Sequence, residues 1–394
     1  MKQMKLIVPM LFALIGLSMI SSCTKEDDVY DGKNELFLSV QGENKIVETE
    51  DKVLNVKILL SKPLEKDSEF TFKLSSTTTD KEVITIVNNP ITIKKGAKEA
   101  SLSIKSLKKE LLSKSHVFTI ELDKSNNTDV MFHAPMKINV APSPKAIPLT
   151  KEAEALLVKY KAKGFDISKC IGFMNVKVHI IYPGGGSDSF FANKEEKDIE
   201  GKTFVTISEN ASESKILLKM TNNAMGIEQY LYNIYRHETV LSEFWPLQPA
   251  PQVAMRLAKY TKDSDETFTC TLNNIELQSD KSSVNILGTK TDSYGDELPV
   301  IPFDFTFTAW DRLKKLVEGK NLEAVEANKQ GGTLDPQAFL NYSRIDSDDW
   351  GTGIWKKTSA TYDMSTGKMK FTFCMDHASA GDYIIFEVEC SPVK

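Results

Sequence analysis

The residues best suited to do chemistry sit in one glycine-punctuated run, Asp346-Ser347-Asp348-Asp349-Trp350-Gly351-Thr352-Gly353-Ile354-Trp355. Trp350 and Trp355, spaced by small residues, can present flat π-faces to a ligand. Asp346, Asp348 and Asp349 can accept hydrogens from sugar hydroxyls or approach a Ca²⁺ ion. The spacing lacks the glycine and closing glutamate of an EF-hand loop, so no metal is assigned. The competing reading starts a core strand at Trp355, lays Trp350 over that core as a lid and leaves the aspartates solvated; buried aromatics are the commoner fate. Trp245 in Phe244-Trp245-Pro246-Leu247 and Tyr294 in Ser293-Tyr294-Gly295-Asp296 are lesser candidates of the same kind.

Other groupings read more readily as structure than as catalysis. Arg236-His237-Glu238 ends a helical pattern, where Arg and His complement the helix dipole. Asp376-His377 suits a strand-end turn as well as a base with its orienter. Pro183-Gly184-Gly185-Gly186 is followed by neither Lys-Ser/Thr nor a helix, so it is read as a mobile turn and not as a phosphate loop. Single histidines such as His116 and His133 do not make a metal site, which needs several convergent donors. Glycoside hydrolysis needs two carboxylates roughly 5–10 Å apart, and with 54 Asp and Glu residues no pair stands out. HExxH, GxSxG and Cys-His signatures are missing. No catalytic residue, metal or cofactor is assigned.

The elements that must position these residues are mostly strands. A 41% hydrophobic, 9% aromatic composition is that of a globular chain. A net charge of −5 without a basic stripe gives no reason to expect nucleic acid. Between Val29 and Ala141, apolar residues alternate in short runs: Leu54, Val56, Ile58 and Leu60; Phe70, Phe72 and Leu74; Ile91 and Ile93; Leu102 and Ile104; Phe118, Ile120 and Leu122; Ile138 and Val140. That pattern predicts a two-sheet β-sandwich over 29–141. Pro142, Pro144 and Pro148 predict a semi-rigid linker over 142–148. From 149 to 394 the pattern mixes strands with helices, namely a helix capped by Thr150 and stopped at Gly164, one with an Ile227, Leu231, Ile234, Tyr235 face, one capped by Asp311, and one opened by Asp335-Pro336. Strands are predicted over Val176–Tyr182, Phe204–Ile207, Ile216–Met220, Phe268–Leu272, Val284–Leu287, Phe303–Phe307, Trp355–Tyr362, Met369–Phe373 and Ile384–Cys390. The fold class is therefore mostly β: an Ig-like sandwich, then a larger β-rich domain with several packed helices. Cys270 and Cys390 fall on apolar strand phases and read as small core residues; Cys374 falls on the opposite phase to Phe371 and Phe373, which argues against a Cys374–Cys390 bridge. The wide spacing of these and Cys170 excludes a CxxC zinc site.

The amino end has its own chemistry. Lys2 and Lys5 precede the apolar run Leu6–Ile20, too short for the roughly twenty residues that span a bilayer, so residues 1–22 read as a signal peptide. Ile20-Ser21-Ser22-Cys23 resembles a bacterial lipobox, which implies cleavage before Cys23 and acylation of its sulfur and new amino group. Two or more acyl chains anchor stably where one does not. Residues 23–28, with Glu26-Asp27-Asp28, resemble the acidic export tag of Bacteroidetes surface lipoproteins. This implies a lipid-anchored outer-membrane protein facing the extracellular side.

Two further resemblances follow. Leu60-Ser61-Lys62-Pro63-Leu64, Ile91-Thr92-Ile93-Lys94-Lys95-Gly96 and Ala100-Ser101-Leu102-Ser103-Ile104 resemble the Ig-like or Calx-β-like module of many Bacteroidetes surface lipoproteins, which implies a stalk; its acidic calcium corner is not matched. Ala153–Gly164, Gly201–Glu209, Asn222–Thr239, Pro302–Lys315 and Asp376–Tyr383 resemble an uncharacterised Bacteroidetes lipoprotein domain of unknown function, of the kind found with starch-utilisation-like systems. That company implies a non-catalytic glycan-capture component, with a glycan ligand and an outer-membrane transporter as partners. A carbohydrate-active enzyme of glycoside-hydrolase type, or a structural or adhesive surface protein, is the alternative.

Overall fold

The computed structural model describes residues 32–393 except 41, 292–294, 296, 341–350, 352–353 and 378. Cys23, Tyr294, Asp346, Asp348, Asp349 and Trp350 therefore lie outside the described residues. The fold is mostly β, as the alternation predicts.

Ten strands build the amino-terminal unit: β1 (Asn34–Val40), β2 (Lys45–Val47), β3 (Val53–Leu60), β4 (Ser68–Ser75), β5 (Ile84–Ile86), β6 (Ile91–Ile93), β7 (Glu99–Ser106), β8 (His116–Ser125), β9 (Val130–Phe132) and β10 (Met136–Ala141). They form two five-stranded sheets, ordered β5-β7-β3-β1-β9 and β2-β10-β8-β4-β6. Leu54, Val56, Ile58 and Leu60 all point inward and are buried, each contributing roughly 1.5–3 kcal/mol. The pairs β1–β9 and β10–β2 run parallel. These short edge pairings carry too little alternation to be read from sequence. His116 Nδ1 lies 3.0 Å from Thr78 Oγ1, and His133 Nδ1 lies 3.0 Å from Glu35 Oε2.

The carboxy-terminal unit opens with helix α1 (Lys151–Ala162), whose cap is the Thr150 hydroxyl accepting from the Ala153 amide. Then come β11 (Gly172–Tyr182), β12 (Glu195–Ile207), β13 (Leu217–Met220), α2 (Glu228–Glu238), α3 (Pro249–Ala258), β14 (Phe268–Leu277), β15 (Val284–Asn285), β16 (Gly288–Thr291) and β17 (Glu297–Val300). β18 (Phe303–Phe307), α4 (Thr308–Glu318), α5 (Leu322–Lys329), α6 (Pro336–Leu340), β19 (Ser359–Asp363), β20 (Lys368–Asp376) and β21 (Tyr383–Pro392) complete it. Nine strands form one sheet, β15-β14-β13-β12-β11-β21-β20-β19, with β18 also paired to β14. One face of this sheet carries the core with the helices: Val176, Val178, Ile180, Phe373, Phe386 and Cys390 meet Leu231, Ile234 and Tyr235 there. The other face, read along β11, runs Phe173, Asn175, Lys177, His179, Ile181: apolar at both ends and charged in the middle. Cross-strand pairs Lys177–Glu200, His179–Asp198 and Lys368–Glu389 cover that middle.

Three expectations are corrected. The Gly184–Gly186 run is not mobile but clamped: Gly185 N–H donates to Ala192 O, Gly186 N–H to Phe191 O, and Gly381 N–H to Gly184 O. Asp311 does not cap its helix, because β18 runs directly into α4 at Thr308 and leaves Asp311 in the first turn. The last hairpin's first strand begins at Ser359, not Trp355. Lys356 instead crosses the outer face of the sheet, its amide donating to Cys374 Sγ at 3.2 Å. Cys170, Cys270, Cys374 and Cys390 are free thiols, all buried.

Candidate functional site

The seam between the two units is a groove made by the amino ends of β11 and α2, the linker, and the loop between β7 and β8. Phe173 and Phe204 meet edge-on at 4.9 Å beneath it, covered by Ala146 and Val393. Val393 also packs on the amino-terminal core.

The loop wall is held rigidly. Glu48 is fully buried, and its carboxylate accepts from Leu111 N–H at 2.5 Å and Leu112 N–H at 3.0 Å. Burial nonetheless pushes its acid above the ordinary carboxylate range, the two amides working against that. Lys108 and Glu110 adopt left-handed backbone, φ 53° and 50°, a strain that persists only when the surroundings over-determine it. Lys202 Nζ reaches across from β12 to donate to Lys109 O at 2.5 Å. Glu110 in turn accepts from the Ser143 hydroxyl at 3.1 Å.

The opposite wall is the start of α2. Asn223 (φ 41°) and Met225 (φ 54°) are both left-handed. Asn223 Oδ1 accepts from Glu228 N–H, while Glu228 Oε2 accepts from Asn223 N–H, each at 3.0 Å. This reciprocal cap satisfies helix-end donors. The same Glu228 oxygen accepts from Cys270 N–H at 2.8 Å. Gly226 rests on β11, where an added Cβ would lie 3.0 Å from Val176 Cγ1.

Along this wall Gln229 and Asn233 stand one turn apart on the exposed stripe of α2, opposite its buried Leu231, Ile234 and Tyr235. With Asn175, Asn222 and Tyr230 they line a cleft of about 760 Å³. Tyr230 has its ring edge-on to Phe386 at 6.0 Å, and burial pushes its phenol well above the usual value. A second cleft of about 920 Å³ shares Phe173 and Asn175 with the first and continues past Ser113, Lys169 and Ser391. Three carboxylates line the first cleft, and each is engaged: Glu110 by Ser143, Glu200 by Lys177 at 2.9 Å, Glu228 by two amides. The amides of Gln229, Asn233 and Asn175 are exposed. An amide offers both donor and acceptor to a hydroxyl.

The motifs singled out in the sequence converge elsewhere. Glu238, at the end of α2, turns inward to accept from the Ser379 hydroxyl, with His377 Nε2 at 3.6 Å. His377 is fully buried, its Nδ1 accepting from Ser379 N–H at 3.3 Å. Burial lowers its pKa to about 4 and raises that of Glu238. His237 stacks on Phe190 at 3.6 Å, and Arg236 Nη2 donates to Lys262 O at 2.6 Å. Asp188 ties Phe190 N–H and Glu243 N–H to the same corner. The cluster is a buried fastening for the Gly184–Gly186 loop, away from the groove.

Trp355 is half-buried against Cys374, Tyr383, Ile385 and Ile181, at the far end of the sheet's outer face. Trp245 packs edge-on to Phe339 at 6.0 Å. Sequence reasoning missed Gln229 and Asn233. Their signal was a pair of amides at i and i+4 on the polar side of a helix whose apolar side was read correctly. Among the described residues no cluster of three or more His, Cys, Asp or Glu is placed to hold a metal ion, and no helix is long and apolar enough to cross a membrane.

Residues 147–391 match the family model described as Domain of unknown function (DUF8472), and residues 30–145 match that described as Domain of unknown function (DUF4929). Among solved structures the chain is similar to the apo-form Calx CBD1 domain, at 14% identity over 28% of this chain and 95% of that one, TM-score 0.23. It is also similar to the periplasmic chaperone SfaE, at 16% identity over 47% and 92%, TM-score 0.21, and to the E. coli chaperone DraB, at 8% over 45% and 93%, TM-score 0.21. No curated protein matches the chain.

Proposed function

The chain belongs to the family of the Domain of unknown function (DUF8472), whose description assigns no activity, and we propose from the geometry that it is a lipid-anchored surface protein that captures glycan in the groove between its two units. One observation carries the reading: the groove exposes amides, while Glu110 and Glu228 are held in structural hydrogen bonds and Glu200 is paired with Lys177 at the surface. Exposed amides beside an aromatic ring suit hydroxyl recognition. Engaged carboxylates do not suit the acid–base pair of a glycoside hydrolase, which needs one free to donate and one free to attack or activate water. The outer-membrane location, the extracellular face and a transporter partner rest on the lipobox-like and export-tag-like residues around Cys23.

Two measurements test this. On a glycan array or affinity gel with the full chain, Gln229→Ala and Asn233→Ala are each expected to weaken binding about tenfold, the worth of roughly one net hydrogen bond. Unchanged affinity in both removes the groove as the site. Cells fed labelled palmitate are expected to label the wild-type chain and not Cys23→Ala; an unlabelled wild type removes the anchor.

A second reading places the ligand on Trp350, Trp355, Asp346, Asp348 and Asp349. It is favoured by the half-exposed ring of Trp355 on the same outer face of the sheet. Loss of binding in Trp355→Ala, with Gln229→Ala unaffected, moves the site there.

A further inference from the structure

Resting on the glycan-capture reading, we infer that the second chamber of the groove selects a saccharide bearing an anionic substituent, a carboxylate or a sulfate, and that the amino-terminal unit is part of this site and not only a stalk. The chamber brings one lysine from each unit to the same cleft. Lys81, from the segment between β4 and β5, donates to Leu111 O at 2.8 Å. Lys169, from the turn before β11, donates to Ser365 O at 2.5 Å. Each ammonium has three donors, so two remain on each. Among the described residues neither has a carboxylate within ion-pair distance, whereas Lys368 at the same cleft is paired with Glu389 at 2.9 Å. No acidic residue lines the chamber. The buried carboxylate of Glu48, behind Leu111, is held by the amides of Leu111 and Leu112.

The hydroxyls of the chamber are pre-set for a sugar. Ser365 and Thr366 donate to Asp363 at 2.7 Å each, and Ser168 donates to Asp166 at 2.6 Å. With their hydrogens committed, these oxygens present lone pairs, which accept from hydroxyls and repel an anion. An anion therefore has its place at Lys81 and Lys169, and sugar hydroxyls have theirs at Ser168, Ser365 and Thr366. The walls are fixed: an added Cβ on Gly367 would meet Lys169 O at 2.6 Å, so the turn carrying Ser365 and Thr366 is packed directly on the turn that carries Lys169.

The experiment compares polygalacturonate, chondroitin sulfate and a neutral dextran on the full chain by affinity electrophoresis and calorimetry, at low and high salt. Expected is binding of at least one acidic polymer about tenfold or more tighter than dextran, weakened by salt. Lys81→Gln/Lys169→Gln is expected to weaken that binding about a hundredfold, roughly tenfold per charge-assisted contact. Lys73→Gln/Lys314→Gln, which removes the same two charges, one from each unit, outside both clefts, should leave it unchanged. Dextran bound as tightly as the acidic polymers overturns the inference and leaves glycan capture standing. Acidic binding indifferent to Lys81→Gln/Lys169→Gln overturns the chamber as the site. No binding of any polymer, with melting curves unchanged, overturns both.

Discussion

Gly184→Ala is expected to destabilise the carboxy-terminal unit by roughly 2–5 kcal/mol. Two costs combine. Gly184 has φ +76°, and a left-handed conformation costs an L-residue roughly 1–2 kcal/mol. The new Cβ would also lie 2.6 Å from Lys194 N and 2.8 Å from Asn193 C. These are backbone atoms, which cannot swing away as a side-chain tip can, and overpacking of this kind costs roughly 1–3 kcal/mol. Gly96 provides the internal comparison, with φ +82° and nothing within 4 Å of an added Cβ. Gly96→Ala should therefore cost only about 1 kcal/mol, the backbone cost partly offset by lower entropy of the unfolded chain. Urea unfolding of both variants measures the difference. A Gly184→Ala chain as stable as Gly96→Ala would show that the loop yields, and would restore the mobile turn that its composition implies.

That loop shows where sequence reading stops. Three consecutive glycines signal backbone freedom, but not whether the fold uses it for motion or for close approach. Only the partners, Phe191, Ala192 and Gly381, decide, and they are set by tertiary packing. Alternation was legible because each residue reports its own burial: Leu54, Val56, Ile58 and Leu60 point inward as predicted, and Cys270 and Cys390 are core. The apolar stripe of α2 was legible for the same reason. Gln229 and Asn233 were not, because a polar stripe looks alike whether it faces bulk water or a cleft. The linker, the β7–β8 loop and the start of β11 make that cleft together, and no single segment records it. Trp355 illustrates the reverse case. Its type drew attention, yet its surroundings come from Cys374 on β20 and from Tyr383 and Ile385 on β21, and the segment crosses the sheet where a continuous strand was expected.

Lowering the pH from about 6.5 to about 4 is expected to cost the carboxy-terminal unit roughly 3 kcal/mol through His377 alone. Burial pushes this imidazole down to about 4 from an ordinary value of 6.5. The unfolded chain therefore takes up the proton first as pH falls. The stability is fully present above 6.5 and is lost as pH drops through the folded value, at about 1.4 kcal/mol per unit. Glu238 works in the opposite sense. Burial raises its acid above 4.5, so the folded state takes its proton before the unfolded chain does, and acidification recovers some stability. His377→Gln separates the two, since the amide can still donate toward Glu238 and does not titrate. In that variant the decline between pH 6.5 and 4 should shrink by roughly 3 kcal/mol, leaving the contribution of Glu238 and the opposing one of His237, whose pKa burial also lowers. Asp166, Asp280 and Asp363, pushed to about 2 by hydrogen bonds from Lys161, Ser283 and Thr366 respectively, lose their contributions only below about pH 3.8, so their window does not overlap. Urea midpoints of both chains across pH 4–7 check the claim, with ring NMR shifts of His377 as the direct readout. An imidazole that titrates near 6.5 in the folded chain, or parallel pH slopes in the two chains, would mean that the buried corner admits the charge. The clamp on the Gly184–Gly186 loop would then rest on an ion pair between His377 and Glu238, in place of the neutral hydrogen bonds described above.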